Sequence, residues 1–223
     1  TLNYAINFLY GKIPFDRVYY YPAGSGNDFA HDVESTEKFM GFLIPMKKFI
    51  RDLPLVTVNG KKRYFLNGIG FGIDGYCCEM GDEQRKVSTE KINYAAIAIK
   101  GLFGKFKPCN GIINVDGEIR KFKKIWLAPT MLGKYYGGGM MVAPTQDRLN
   151  RERTVTVVIW HGSGKLKTLM MFPKIFEGTH LKYKNNIKCF TGHSITVEFE
   201  KPQALQIDGE TVKNVTSYTV NYD

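Results

Sequence analysis

Residues 21–29 read Tyr-Pro-Ala-Gly-Ser-Gly-Asn-Asp-Phe. Strand formers at 17–21 run into the glycines, and Asn27–Ala30 open a helical stretch at once. Such an order suits an anion: glycine lets the backbone approach closely, and first-turn N–H groups point at the ligand. Ser25 and Asn27 add side-chain hydrogen-bonding groups. A plain tight turn with an Asn or Asp N-cap fits the same residues, and spacing alone does not separate the two. Two Asp-Gly-Glu triplets carry paired carboxylates. Asp116-Gly117-Glu118 lies between good strands and reads as a hairpin turn. Asp208-Gly209-Glu210 comes after the strand-like run Ala204–Ile207. It is either a hairpin turn too, or a pair able to deprotonate a hydroxyl or sit beside a metal–phosphate complex. Gly137-Gly138-Gly139, after Tyr135-Tyr136, requires positive-φ backbone or close approach of another segment. The four histidines and four cysteines show no HxH, HExxH or CxxC spacing, so a metal cluster built from them is not expected. Adjacent Cys77 and Cys78 read as small apolar residues on a strand, kept reduced in a cytosolic setting.

These groups need elements to hold them. Leu2, Ile6 and Leu9 repeat at helical spacing up to Gly11, and Phe39–Ile50 predicts a helix interrupted at Pro45. The first fifty residues therefore read helix, strand, glycine turn, helix, a piece of an α/β unit. From Leu55 onward short alternating runs are divided by Asn59-Gly60, Asp116-Gly117 and Asp208-Gly209, the pattern of antiparallel hairpins. Thr154–Trp160 and Ser194–Phe199 are further strands. Ser88 is placed to cap a helix carrying Ile92, Ala95, Ala96, Ile99, Leu102 and Phe103, and Leu166–Phe176 predicts a weaker one. Across the 223 residues, 43% are hydrophobic and 23% charged, ordinary values for a chain with a packed core. No apolar run reaches the roughly 18 residues of a membrane-spanning helix. The net charge of +10 favours anionic partners such as nucleotide phosphates or an anionic bilayer. Its small, scattered basic clusters lack any nucleic-acid module, so no nucleic-acid partner is expected.

Taken in order, five segments resemble the diacylglycerol and sphingosine kinase family of lipid kinases, of the soluble bacterial diacylglycerol kinase type. Thr1–Asn7 resembles the segment just after that family's Gly-Gly-Asp-Gly loop, and Pro22–Ala30 its second nucleotide motif. Phe65–Gly75 resembles the start of its second domain, Gly137–Met140 with Ala143-Pro144 its glycine hairpin, and Gln206–Glu210 its C-terminal catalytic segment. The resemblance covers essentially the whole chain. It implies an α/β remnant of a nucleotide-binding domain, residues 1–54, followed by a predominantly antiparallel β-sandwich domain with two packing helices, residues 55–210. Residues 211–223 would return toward the first part.

The resemblance also implies chemistry: transfer of the γ-phosphate of ATP, with Mg2+, to a lipid hydroxyl, diacylglycerol first. Thr1, Gly24, Ser25, Gly26 and Asn27 would contact nucleotide. Glu210, or alternatively Asp208, would take the hydroxyl proton. The lipid would be met at an anionic membrane surface by a cytoplasmic, peripherally associated protein, and a homodimer is compatible with this picture. Two departures stand out. The Gly-Gly-Asp-Gly loop does not precede Thr1, so this chain is expected to be a piece of a longer protein and inactive alone. The family's Asp-Gly turn after the Ala-Pro hairpin, in a loop linked to a structural magnesium, is replaced by Asp147-Arg148-Leu149-Asn150-Arg151-Glu152-Arg153, where Asp147 or Glu152 could reach a cation. A non-catalytic lipid- or membrane-binding relative, or a kinase of the NAD kinase type, are the alternatives.

Overall fold

The computed structural model describes residues 2–24, 26–90, 92–104 and 106–222. The opening segment holds α1 (Leu2–Leu9), β1 (Tyr19–Tyr20), α2 (Asp28–Asp32), β2 (Ile44–Pro45) and α3 (Lys47–Ile50). The helix expected across 39–50 is instead β2 followed by α3, with Pro45 in the strand. Pro45 cannot donate a backbone hydrogen bond, and it sits where a two-residue antiparallel ladder joins Tyr19 to Pro45 and Tyr20 to Ile44.

Strands dominate the rest. In chain order they are β3 (Leu55–Val58), β4 (Lys61–Tyr64), β5 (Gly68–Phe71), β6 (Cys109–Val115), β7 (Glu118–Leu127), β8 (Thr130–Met131), β9 (Tyr135–Tyr136), β10 (Met140–Met141), β11 (Val155–His161), β12 (Ile187–Gly192), β13 (Ser194–Ile207) and β14 (Glu210–Asn221). Three helices interrupt them: α4 (Ile73–Val87), α5 (Tyr94–Phe103) and α6 (Lys165–Met171). Every ladder among the described residues is antiparallel. The long strand β13 pairs with β6 through Ile195–Phe199 and with β5 through Leu205–Ile207, so β13, β5, β8, β11, β7 and β6 close on themselves. The two sheets of the expected sandwich therefore share a strand. A register irregularity between Glu198 and Gln203 marks where β13 changes partners.

The Asn-Gly and Asp-Gly signals are met. Val58 faces Lys61, Val115 faces Glu118 and Ile207 faces Glu210 across two-residue loops. Both loop residues have positive φ at all three: 48° and 73° at 59–60, 50° and 92° at 116–117, 47° and 86° at 208–209. This is the type I′ geometry that matches strand twist. Cys77 and Cys78 are a correction: they lie in α4, not on a strand, and Cys77 is buried there. Ser88 is a second correction. It ends α4, and the cap of α5 is Asn93, whose side chain accepts from Ala96 N at 3.0 Å.

Two apolar cores flank the sheet. One joins Ile6, Phe29, Ile44 and Phe49 of the opening segment to Val56, Ile69, Ile113, Val157, Ile195, Leu205 and Val220. The other, under α4, α5 and α6, gathers Ile73, Leu102, Trp126, Val158, Trp160 and Phe172. Alternate residues of β11 feed opposite cores, Val157 and Ile159 one way, Val158 and Trp160 the other.

Candidate functional site

The glycine turn and the glycine hairpin meet. Gly26 lies so close to the hairpin that a Cβ on it would stand 3.4 Å from Gly138 Cα. Asp28 fastens the contact: Gly138 N donates to both its oxygens at 3.1 and 3.0 Å, and Gly139 N to Oδ1 at 2.7 Å. Gly137, Gly138 and Gly139 all have positive φ, which turns successive N–H groups inward between β9 and β10. Burial pushes the Asp28 carboxyl up, and the two glycine N–H groups oppose that shift. Asn27 does not cap α2 with its side chain. Its Nδ2 donates to Pro22 O at 3.1 Å, while its Oδ1 accepts from Tyr20 Oη at 3.2 Å, so it braces the turn. Gly24 and Gly26 stand in this turn; Ser25 and Thr1 lie outside the described residues.

Asp208 and Glu210 have different surroundings although two residues apart. Asp208 Oδ2 accepts from Leu66 N at 2.7 Å and Asn3 Nδ2 at 2.9 Å, and its Oδ1 from Asn67 N at 2.8 Å and Gly68 N at 3.0 Å. Four N–H donors fill both oxygens, and the carboxylate ties the 208–209 turn to β5 and α1. Asn7 continues the seam by exchanging two 2.9 Å hydrogen bonds with the Tyr64 backbone. Glu210 is half-buried at the start of β14, beside α4. Further along, Thr211 Oγ1 donates to Asp82 Oδ2 at 2.6 Å and Lys213 pairs with Glu79 at 3.0 Å. Burial raises the Cys78 thiol to about 12, with Asp74, Asp82 and Glu210 adding negative charge around it.

Three groups carry geometry that sequence reasoning did not assign. Asp74, in the first turn of α4, is buried, and desolvation lifts its carboxyl to about 7. The Tyr136 hydroxyl pulls the other way, yet neither it nor Asp74 Oδ2 has a partner at full hydrogen-bond geometry. Asp32 and Arg148 form a buried ion pair, and Lys134 N donates to Asp32 Oδ1 at 3.2 Å. Arg148 also reaches Leu66 O and Asn67 Oδ1. The signals for all three were weak: single charged residues carry no period, and contacts across 80 residues of chain leave no local mark. Asp147 and Glu152 are exposed, and Asp147 Oδ1 accepts from Leu149 N at 2.9 Å in its own turn.

One hydrogen-bonded path thus runs from α2 through Asp32, Arg148 and Asn67 to Asp208 and Asn3. It links the elements carrying the glycine turn to the hairpin carrying Glu210. Among the described residues no group of three or more His, Cys, Asp or Glu could hold a metal ion, and no helix is long and apolar enough to cross a membrane.

Residues 67–220 match the family described as YegS C-terminal NAD kinase beta sandwich-like domain. YtlR of Bacillus subtilis (strain 168), named as a supposed lipid kinase, is 28% identical over 203 residues, which is 85% of this chain and 64% of that protein. A diacylglycerol kinase of Mycobacterium tuberculosis (strain ATCC 25618 / H37Rv) is 23% identical over 72% of this chain and 52% of its own length. The chain thus spans 64% and 52% of these two curated relatives. The crystal structure of a diacylglycerol kinase from Bacillus anthracis str. Sterne shares the fold, with a TM-score of 0.56 and 20% identity over 89% of this chain and 63% of that one.

Proposed function

From the premise that this chain belongs to the diacylglycerol and lipid kinase family with a YegS-type C-terminal domain, we propose that the protein containing it transfers the γ-phosphate of ATP to a lipid hydroxyl, diacylglycerol first. ATP arrives as its magnesium complex, which neutralises phosphate charge. Residues 1–54 are the remnant of the α/β nucleotide-binding half, 55–210 the lipid-kinase β domain, and 211–223 the returning segment. Tyr222 Oη, which donates to Asp52 O at 3.0 Å, supports that return. In this reading Gly24, Gly26 and Asn27, with Thr1 and Ser25, are the residues that serve the nucleotide. Glu210 takes the proton of the attacking hydroxyl.

The observation that carries this reading is the division of labour in the 208–210 turn. Asp208 commits both oxygens to four N–H donors and so positions the turn. The base role falls to Glu210, held beside the buried polar groups of α4. A positioned carboxylate of this kind is worth about a hundredfold to ten-thousandfold in rate.

Lipid acceptors are met at an anionic bilayer. α5 and α6 pack together, and Lys165 Nζ donates to Phe103 O at 3.1 Å across their junction. Phe103, Leu166 and Met170 there are 65%, 72% and 72% exposed, with the exposed Lys100, Lys165 and Lys167 beside them. Apolar anchors ringed by lysines match a surface of anionic headgroups over hydrocarbon.

The test offers the full-length protein labelled ATP, magnesium and vesicles containing diacylglycerol, sphingoid bases or phosphatidylglycerol. A phosphorylated lipid is expected, and Glu210→Gln is expected to lower its rate about a thousandfold with unfolding unchanged. No product from any lipid sinks the proposal. Vesicle binding without turnover would favour the non-catalytic relative, and phosphorylated NAD in the same assay the NAD kinase type.

A further inference from the structure

Cations in a buried junction need oxygen acceptors, and such a set surrounds Arg148. Its Nε donates to Asp32 Oδ2, its Nη1 to Leu66 O at 3.1 Å and its Nη2 to Asn67 Oδ1 at 3.0 Å. A carboxylate, a backbone carbonyl and an amide oxygen are the donor set a hard divalent cation would use. Here the guanidinium fills it. The side chains of Arg148 and Asp32 are 5% and 3% exposed, and the guanidinium carbon lies 4.8 Å from the centroid of the Phe29 ring. Gly133 is shaped to this occupant: a Cβ there would collide with Arg148 Nη2 and stand 2.8 Å from Asp32 Oδ2.

The neighbouring carboxylates do not offer a substitute. Asp147 and Glu152 are exposed, and the Asp147 carboxylate is engaged with Leu149 N. The loop therefore does not fit the structural magnesium that the family resemblance implies for it. We infer that Arg148 is a resident cation in place of that ion, a positioning residue whose fork locks α2, the 66–67 segment and, through Asn67, the Asp208 turn together without metal. The inference concerns the junction alone and stands whether or not the protein is a lipid kinase.

The planar fork is essential to this role, because a lysine supplies a point charge that can satisfy Asp32 but not three acceptors in one plane. Metal dependence of folding separates a guanidinium-filled junction from a metal-filled one. Thermal unfolding of the purified protein is followed without nucleotide, in excess EDTA and in excess MgCl2. A structural ion present at about a hundred times its dissociation constant would raise Tm by roughly 5–10 °C. The expected shift is under about 1 °C. A magnesium-dependent rise of several degrees, reversed by EDTA, overturns the inference.

Arg148→Met removes the charge and keeps the volume. It strands the Asp32 carboxylate, and a fall in Tm of about 5–15 °C is expected. Arg148→Lys should recover part of that loss, and Arg148→Met with Asp32→Asn should be less destabilised than Arg148→Met alone. An unchanged Tm in Arg148→Met, or full recovery by lysine, counts against the fork. If Arg148→Met does not fold, the wild-type metal titration still decides.

Discussion

Asp74 binds a proton more readily in the folded chain than in the unfolded one. Burial lifts its carboxyl to about 7, whereas an unfolded aspartate titrates near 3.9. The stability linked to this group is full below about pH 4 and is lost as pH rises through 7, a change of roughly 4 kcal/mol. Asp74→Asn keeps the shape and removes the charge. Urea unfolding at pH 5 and pH 8 should show the wild type losing stability at the higher pH and the variant holding nearly level. Equal pH dependence in both would mean that Asp74 is not the titrating group. Residue-scale chemistry was only half legible in the sequence. The Asp208-Gly209-Glu210 spacing marked a hairpin turn, but the filling of Asp208 by Leu66, Asn67, Gly68 and Asn3 depends on partners some 140 and 205 positions away. In the sequence Arg148 is one of three arginines at 147–153, and nothing marks it off, because a lone charge has no period and a buried charge is rare.

At the scale of elements, the hairpins were legible because their turns demand particular residues. Only Asn, Asp and Gly sit easily at two consecutive positive-φ positions, as at 59–60, 116–117 and 208–209. The helix α4 was hidden for the opposite reason. Gly75 and Gly81 each cost about 1 kcal/mol in a helix interior, which weakens the local signal. Contact explains them. A Cβ on Gly75 would run into the backbone of β13 at Ala204 O and stand 2.8 Å from Leu205 N, whereas the nearest atoms to one on Gly81 belong to the Tyr94 side chain, at 2.9 Å and beyond. Backbone cannot yield as a side chain can. Gly75→Ala is expected to cost about 3 kcal/mol net of its helix gain, and Gly81→Ala about 1 kcal/mol or less. Denaturant midpoints measure both, and a similar loss in the two variants would show that α4 shifts freely on the sheet. β11 was read as a strand, yet its two-faced burial was not, since apolar residues on both sides erase the alternation that reveals an inner face.

At the scale of the whole molecule, the proposed docking on a bilayer would draw on a net charge of +10 and on the exposed apolar residues of α5 and α6 by different laws. Burying Phe103 or Leu166 at a bilayer interface contributes about 1.5–3 kcal/mol each. A lysine near an anionic surface contributes about 1 kcal/mol, and only within a screening length. Anchoring should therefore rest on the apolar pair, while selection among membranes should rest on charge. Vesicle co-sedimentation separates them. Phe103→Ser with Leu166→Ser is expected to weaken binding to anionic vesicles by about a hundredfold or more at any salt concentration. Raising salt from about 0.1 to 1 M shortens the screening length from about 10 to 3 Å. The wild type should then bind anionic and zwitterionic vesicles nearly alike, having preferred the anionic ones before. Full binding by the double variant would move the docking face elsewhere. A preference for anionic vesicles that survives high salt would instead indicate recognition of a headgroup in a pocket, where water and ions do not screen the contact.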